Sequence, residues 1–264
     1  MSHKGTAVIT GASSGIGETF ARALAQRGYD LILVARRREL LEVIAEELSS
    51  AHGIHAEVLA ADLALEEDAA MVAREIEARE DASMLVNNAG YTLEGPFAES
   101  DIERQLDMVR VHDLATMRLT RAALPGMIAR RRGVVINVSS LGGFAPQLDN
   151  SVYCASKAFL IEFTETLHLE LSGSGVRVQV LCPGFTHTGF HDAAGSDISG
   201  IHDWMWMKAG KVVEESLRAL ERGNVVVIPG RRNRFFRFLY RMPRPLLYRA
   251  SLRLLEFAED RKNK

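Results

Sequence analysis

The sequence predicts a single α/β domain in which a doubly wound parallel sheet of about seven strands carries helices on both faces. Short, β-branched apolar runs alternate with longer helical patterns up to residue 230, without a repeat or a linker. Such alternation is typical of parallel strands joined by crossover helices. A chain of 264 residues can bury one large core, so we predict one domain over residues 1–230 and a C-terminal extension over residues 231–264.

The predicted strands and helices follow one another in turn. Seven short runs rich in Val, Ile and Leu are predicted strands: residues 6–10, 30–35, 55–61, 83–88, 133–140, 176–182 and 224–229. Six longer segments are predicted helices: residues 15–27, 37–50, 66–79, 100–130, 151–172 and 210–222. Ligands of open parallel sheets bind at the carboxyl ends of the strands, so the residues after each strand are the first site candidates.

Composition excludes several classes of protein. The formal net charge is -2 and 25% of the residues are charged, so the positive excess typical of nucleic-acid-binding proteins is lacking. The two cysteines, Cys154 and Cys182, have no paired spacing, which argues against a disulfide framework and a zinc site; we expect no metal. From the charge we expect no nucleic-acid partner. The sequence shows no apolar signal segment and no apolar run of membrane-spanning length, so we expect a cytoplasmic location.

A glycine-rich turn follows the first strand directly. The segment "TGASSGIG" puts Gly11, Gly15 and Gly17 between strand and helix, where bare backbone and a helix N-terminus can receive a pyrophosphate. The spacing Gly-x-x-x-Gly-x-Gly differs from the commoner dinucleotide fingerprint. A tight turn that only closes the strand onto the helix is the alternative. The other predicted cofactor contacts within this turn are Ser13, Ser14 and Ile16.

The ends of the second and third strands predict which dinucleotide binds. Arg36 and Arg37 stand where an NAD-selective site carries an acidic side chain for the ribose 2′-hydroxyl. Arginines can instead bind a 2′-phosphate, which favours NADP(H) over NAD(H); a solvated helix start is the alternative. After the third strand, Asp62 is expected to accept from the adenine amino group, beside Leu63. For Asp62, an N-cap of the next helix is the alternative.

A tyrosine and a lysine lie four residues apart in "SVYCASKAF". Tyr153 and Lys157 therefore share one face of a predicted helix. A free phenol has a pKa of about 10, and a nearby cation favours the phenolate, so we expect Lys157 to lower this pKa. Ser140 ends the fifth strand, where its hydroxyl can orient a substrate carbonyl, whereas alternation along the strand turns Ser139 to the other side.

Five motifs, in order, resemble the short-chain dehydrogenase/reductase family. They are "TGASSGIG", "NNAG" at residues 87–90, "NVSS" at 137–140, "YCASK" at 153–157 and "PGFTHTGF" at 183–190. The resemblance extends over residues 5–230 and implies a Rossmann-type oxidoreductase. It implies that Tyr153 acts as acid or base, that Lys157 tunes it and holds the nicotinamide ribose, and that Ser140 steadies the substrate oxygen.

The resemblance also implies further site residues. Besides Tyr153 and Lys157, the implied cofactor contacts are Asn88, Ala89, Gly90, Pro183, Gly184, Thr186 and Thr188. The sequence departs from the family at His112, where such proteins generally carry an asparagine of a water-bridged proton relay to the lysine. A histidine can donate or accept and could take over this relay. A neutral, satisfied core histidine is the alternative.

The predicted reaction is hydride transfer between a nicotinamide and a hydrophobic carbonyl or secondary alcohol. The resemblance implies that the long loop before the last predicted helix forms a flap over the substrate. Within it, residues 204–207, "WMWM", would form an apolar wall, unless they belong to the core. Two other readings remain: a catalytically silent NADP(H)-binding sensor or scaffold, and an epimerase or dehydratase on the same fold.

The C-terminal region is strongly basic. Residues 222–255 contain nine arginines and no acidic residue, interleaved with aromatic and aliphatic side chains. Residues 231–255 therefore resemble a basic amphipathic segment that could make peripheral contact with an anionic membrane. The other readings are a subunit contact and a roof over the substrate pocket, and we favour these two together. The family resemblance implies a homodimer or homotetramer built on helices 100–130 and 151–172.

Overall fold

A computed structural model describes residues 4–188 and 202–249. Within these ranges a parallel sheet of seven strands forms the centre of the molecule. In chain order its strands are β1 (Thr6–Thr10), β2 (Asp30–Ala35), β3 (Ala56–Ala60), β4 (Ala82–Asn87), β5 (Gly133–Val138), β6 (Val176–Leu181) and β9 (Val226–Val227). Two short strands, β7 (Thr186–His187) and β8 (Met207–Lys208), pair with each other separately. All seven predicted sheet strands are confirmed.

The strand order places a cleft beside β1. The sheet runs β3-β2-β1-β4-β5-β6-β9, so β1 pairs on one side with β2 and on the other with β4. In register, Val8 lies opposite Ile32 and Leu85. The chain winds in opposite directions from β1, and the loops after β1 and β4 separate at the carboxyl edge. The predicted Rossmann-type doubly wound sheet is therefore confirmed.

Helices cover both faces of the sheet. They are α1 (Gly15–Ala25), α2 (Arg38–His52), α3 (Glu66–Ala78), α4 (Ile102–Val109), α5 (Ala115–Ala129), α6 (Ser151–Glu170), α7 (Ala209–Glu221) and α8 (Arg231–Leu239). The prediction of one helix over residues 100–130 is wrong in one respect. A π-helical turn, Arg110–Leu114, separates α4 from α5. Such turns insert an extra residue and often occur at functional sites.

Alternation along the strands builds two cores. Ile9 of β1 packs with Phe20 of α1 on one face of the sheet. The preceding residue, Val8, packs on the other face with Val72 of α3 and Leu119 of α5. Successive side chains of a strand point to opposite faces, so a strand buried on both sides reads as a continuous apolar run. This is why the strands were recognisable from sequence.

The basic extension begins with α8, which packs onto the body of the fold. Asn233 is buried and donates from Nδ2 to the Pro229 carbonyl at 2.8 Å and toward Met207 Sδ at 3.3 Å. The guanidinium of Arg237 lies 4.1 Å from the ring centroid of Phe144. A domain boundary at residue 230 stays a prediction. Throughout residues 4–188 and 202–249, no helix combines the length and the apolar character needed to cross a bilayer.

Candidate active site

A cleft of about 1100 Å³ opens at the carboxyl edge of the sheet. It extends from the glycine turn after β1 to the first turns of α6 and to α8. Nearly all predicted site residues line it: Gly11, Ser13, Ser14, Gly15, Ile16, Arg36, Arg37, Asp62, Leu63, Asn88, Ala89, Gly90, Ser140, Tyr153, Lys157, Pro183, Gly184, Thr186 and Thr188. Gly17 and His112 are not part of its wall.

The glycine turn needs its glycines for two different reasons. Gly11 and Gly15 have φ of 65° and 60°, a left-handed conformation that side chains disfavour. A Cβ on Gly15 would also lie 3.0 Å from the side chain of Thr188, across the cleft wall. Gly17 instead lies beneath the turn, where a Cβ would collide with the Gly11 carbonyl and the Asn88 amide. Gly17 is therefore required for the packing of the turn, and its predicted contact with the cofactor stays a prediction.

Thr10 ties the glycine turn to the loop after β4, and sequence reasoning missed it. Its hydroxyl accepts from the backbone N–H groups of Asn88 and Ala89, both at 2.9 Å. The Asn88 side chain donates back to the Thr10 carbonyl at 2.9 Å. These bonds hold the "NNAG" loop against the turn. The position of Thr10, the last residue of β1 and a polar side chain after an apolar run, was the available signal.

Two arginines form a cationic rim at the end of β2. The Arg37 guanidinium donates to the hydroxyl of Ser13 at 2.9 Å and to that of Ser14 at 3.0 Å. Arg36 lies 3.8 Å from the Asp62 carboxylate, and its side chain is 71% exposed. Both arginines face the cleft, which disfavours the reading of this segment as only a solvated helix start. Each retains guanidinium donors for an anion.

Asp62 does not cap the following helix. The residue before α3 is Leu65, and the Asp62 carboxylate accepts from the backbone N–H of Ala64 at 3.1 Å. Asp68 reaches back to accept from the backbone N–H of Asp62 at 2.7 Å. These bonds form a short polar turn. The N-cap alternative is thus wrong, and Asp62 lies in the cleft wall beside Leu63.

The predicted catalytic set meets at the far end of the cleft. Tyr153 and Lys157 lie on the same face of α6, with Lys157 Nζ 5.7 Å from the Tyr153 ring centroid. Lys157 is buried, and its ammonium donates to the Val138 carbonyl at 3.2 Å. Ser140 follows β5 and shares a side-chain hydrogen bond with Tyr153. Ser139 is buried, and its hydroxyl donates to the Lys157 carbonyl at 2.6 Å.

Burial dominates the acidity of this set. It raises the pKa of Tyr153 to about 12, against the smaller lowering effect of the hydrogen bond from Ser140. The expectation that Lys157 lowers the pKa of this phenol is therefore not met. Burial lowers the pKa of Lys157 to about 8, and the negative charge of Asp113 acts in the opposite direction. At neutral pH Tyr153 is a protonated phenol and Lys157 remains mostly cationic.

His112 is a neutral, hydrogen-bonded core residue. Its Nε2 accepts from the backbone N–H of Tyr91 at 3.1 Å, so the ring proton lies on Nδ1, 2.9 Å from Ser156 Oγ. Ser156 in turn donates to the Tyr153 carbonyl at 2.9 Å. Burial and the charge of Lys157 lower the pKa of His112 well below its usual value. Both nitrogens are used, which favours the core alternative over the predicted proton relay.

Asp113, the next residue of the π-helical turn, was not predicted. It is buried, and its Oδ1 has no hydrogen-bond partner among the described residues. Burial raises its pKa to about 7, and the charge of Lys157 acts to lower it. Asp113 and Lys157 are therefore electrostatically coupled. The only sequence signal was an acid next to His112 in an apolar helical pattern.

Helix α8 forms part of the wall of the cleft. Arg232, Asn233 and Phe236 of α8, and Tyr240 just after it, line the cleft. Of the predicted "WMWM" wall, only Met205 lines it. Met207 belongs to the core, and Trp206 stacks on His187 with ring centroids 4.9 Å apart. Residues 189–201, which include most of the predicted flap, lie outside the described residues.

Comparison with known proteins identifies the family. The family profile described as "short chain dehydrogenase" matches residues 5–199. The chain belongs to this family. A very-long-chain 3-oxoacyl-CoA reductase of Phaeosphaeria nodorum is 41% identical over 178 residues, which are 66% of this chain and 52% of that protein. The chain thus spans about half the length of this relative.

Other members of the family differ in reported properties. Human inactive hydroxysteroid dehydrogenase-like protein 1 is 31% identical over 184 residues, or 69% of this chain and 56% of that protein. A short-chain dehydrogenase of Sphingobium yanoikuyae, solved with NADPH, has a TM-score of 0.81 at 36% identity, covering 85% of this chain and 87% of that one. The bulky-bulky ketone specific alcohol dehydrogenase of Comamonas testosteroni has a TM-score of 0.78 at 32% identity. The match covers 85% of this chain and 86% of that one.

The family to which the chain belongs is one of oxidoreductases. Its members use a nicotinamide cofactor. In the described ranges, His, Cys, Asp and Glu side chains form no group of three or more suited to a metal ion. Both cysteines are buried free thiols.

Proposed function

We propose that this protein is an NADP(H)-dependent oxidoreductase that reduces a hydrophobic ketone to a secondary alcohol. One observation carries the proposal: a single cleft joins a glycine turn and a cationic rim at one end to the hydrogen-bonded pair of Ser140 and Tyr153 at the other. A protonated phenol beside an apolar wall suits proton donation to a carbonyl oxygen.

The cleft fits a nicotinamide dinucleotide. At Gly15 a side chain would press on Thr188 and narrow the cleft, so bare backbone leaves room for a pyrophosphate against the N-terminus of α1. Arg36 and Arg37 would hold a 2′-phosphate, and the residue directly after β2 is Arg36 instead of an acidic side chain that would select the free hydroxyl. The NADPH complex of the Sphingobium relative supports this choice.

Each residue of the proposed catalytic set has its own role in the reaction. A bound nicotinamide would supply the hydride that adds to the carbonyl carbon. Tyr153 donates its proton to the carbonyl oxygen, and Ser140 donates a hydrogen bond to the same oxygen as negative charge builds there. The Lys157 ammonium, buried 5.7 Å from the Tyr153 ring centroid, would bind the nicotinamide ribose. His112 positions α6 through Ser156, which bonds to the Tyr153 backbone.

We propose a bulky apolar ketone as substrate. Leu148, Met205, Phe236 and Tyr240 give the far end of the cleft large apolar surfaces. Two relatives are named for ketone substrates of this character, a very-long-chain 3-oxoacyl-CoA and a bulky-bulky ketone. Arg232 adds one cationic group at the same end. A homodimer or homotetramer and a cytoplasmic location stay predictions.

The test is oxidation of NADPH, followed by its absorbance, with a panel of ketones that grow from small and polar to bulky and apolar. We expect turnover that rises with apolar bulk and yields the secondary alcohol. Binding of NADPH without oxidation by any member of the panel would favour the silent sensor, as the human relative's name suggests for that protein. Conversion of substrate without net consumption of cofactor would favour an epimerase or dehydratase.

A further inference from the structure

Helix α8, which lines the cleft, has two chemically different faces. Asn233 is 3% exposed, and with Phe236 and Tyr240 it points into the body of the fold and the cleft. On the opposite face, Phe235 and Phe238 are 58% and 65% exposed. These two aromatics are three residues apart, so they lie side by side on the helix surface. Large exposed aromatics of this kind indicate a contact surface.

Arginines surround the exposed aromatics. Arg231 begins α8 next to Phe235, and Arg241 follows the helix beside Met242, which is 39% exposed. We call Arg231, Phe235, Phe238, Arg241 and Met242 the basic aromatic face.

The charges of this face are largely uncompensated. Over the part of the chain that the structure describes, neither Arg231 nor Arg241 has a carboxylate within ion-pair distance, whereas Arg234 lies 3.5 Å from Glu215. The same holds for Arg244 and Arg249 in the helical residues that follow. The sequence offers no acid between residues 222 and 255 to neutralise them.

We propose that the basic aromatic face docks onto an anionic lipid bilayer. Aromatic rings at a membrane surface bury their apolar part among the lipids, and arginines beside them are attracted to anionic headgroups. A second copy of the chain fits less well, because a two-fold contact would bring the same arginines together. The positive charge of the basic aromatic face therefore favours an anionic partner. Its exposed phenylalanines favour a partner that also has an apolar interior.

Docking here would place the cleft at the membrane. The inner side of α8 lines the substrate end, so the cleft lies directly behind the docked helix. An apolar ketone is concentrated in the bilayer and could enter from it. This consequence rests on the proposed function, whereas docking itself does not, since lipid binding can be measured without cofactor or substrate.

The experiment is flotation of the full chain with vesicles of phosphatidylcholine alone or mixed with phosphatidylserine. We expect flotation only with the mixed vesicles, and less of it as salt is raised. Each arginine near an anionic surface adds roughly fivefold to the partition coefficient, so Arg231→Gln with Arg241→Gln should weaken binding roughly 30-fold. Phe235→Ser with Phe238→Ser should weaken it by at least about tenfold.

Matched variants on other surfaces control for general effects. Lys208→Gln with Lys211→Gln removes two exposed charges, and Val43→Ser with Leu169→Ser removes two exposed apolar side chains. Both should float like the unchanged chain, and circular dichroism should confirm that every variant is folded. Equal loss of binding in the control variants would overturn the proposal, as would flotation with neither vesicle. It would also be overturned if sedimentation velocity found that the basic aromatic face instead holds two copies together.

Discussion

Ser140 and Tyr153 share a side-chain hydrogen bond, although one follows β5 and the other lies in the first turn of α6. Both residues line the cleft, and the buried ammonium of Lys157 lies 5.7 Å from the Tyr153 ring centroid. Because burial raises the pKa of Tyr153 to about 12, the phenol holds its proton at neutral pH. The arrangement is therefore suited to reduction, in which the proton is donated.

The pH dependence of the reduction rate should follow the ionisation of Lys157 and not that of Tyr153. Burial lowers the pKa of Lys157 to about 8, so its charge is lost far below the point at which Tyr153 ionises. We expect kcat/KM for the ketone to fall on the alkaline side as Lys157 loses its charge, at a pH below that at which Tyr153 ionises. Ser140→Ala should lower the rate without moving this inflection. An inflection that Ser140→Ala shifts would assign it to Tyr153 instead.

Cofactor preference should depend on the arginines after β2. Replacing Arg36 and Arg37 by alanine removes the charge-assisted hydrogen bonds expected for a 2′-phosphate, each of which contributes about 1.5–3 kcal/mol. The Kd of NADPH should rise by at least about tenfold while that of NADH changes little, as measured by nicotinamide fluorescence. Arg38→Ala is the control, because Arg38 faces Glu42 on the outside of α2 at 3.6 Å. Equal weakening of both cofactors would contradict the assignment.

Asp113→Asn should stabilise the fold at alkaline pH. The pKa of Asp113 is raised to about 7 in the folded chain, from an ordinary value of 3.8. The protonated carboxyl is favoured by folding, so its stabilising effect is complete below the ordinary pKa and is lost as pH rises through about 7. Asparagine stays neutral and keeps that effect. Thermal unfolding should therefore show a higher Tm for Asp113→Asn at about pH 8 and no gain at about pH 4.

Two further measurements test whether the stabilisation by Asp113→Asn comes from the burial of Asp113 and its coupling to Lys157. Asp107→Asn removes a carboxylate that pairs with Arg110 at 2.5 Å on the surface, so it should give no alkaline gain in Tm. Asp113→Asn also removes a negative charge that raises the pKa of Lys157. The alkaline inflection of reduction should consequently move to lower pH. Unchanged stability together with an unchanged inflection would contradict the coupling of Asp113 and Lys157.

The sheet and the cofactor end of the cleft were predictable because both depend on local pattern. A strand buried on both faces must be apolar throughout, so the run containing Val8 and Ile9 is recognisable in isolation. Polar residues at or directly after the end of a strand lie at the carboxyl edge of the sheet, where ligands bind. This rule identified Arg36, Arg37 and Ser140 as site candidates. Thr10 was missed because its role requires knowing that the loop after β4 returns beside β1, and no local pattern records that contact.

The interior electrostatics could not be predicted because they depend on burial and on partners distant in sequence. His112 is neutral owing to the backbone N–H of Tyr91 and to Ser156, neither of which its sequence position indicates. The π-helical turn that contains Asp113 leaves no signal in the helical pattern. Likewise, the arginine-rich segment was recognisable from the sequence, but the sequence did not show which side chains of α8 face the cleft. In the structure Phe236 lines the cleft, whereas Phe235 is exposed.

The most direct test of the central claim is single-turnover reduction by Tyr153→Phe, with NADPH binding measured on the same sample. Phenylalanine keeps the ring and removes only the proton donor, so we expect the rate to fall at least about a hundredfold while NADPH still binds. Tyr91→Phe is the matched control, since Tyr91 also lines the cleft and its hydroxyl donates only weakly, to the Arg104 carbonyl at 3.4 Å. Undiminished reduction by Tyr153→Phe would contradict the assignment of Tyr153 as the proton donor.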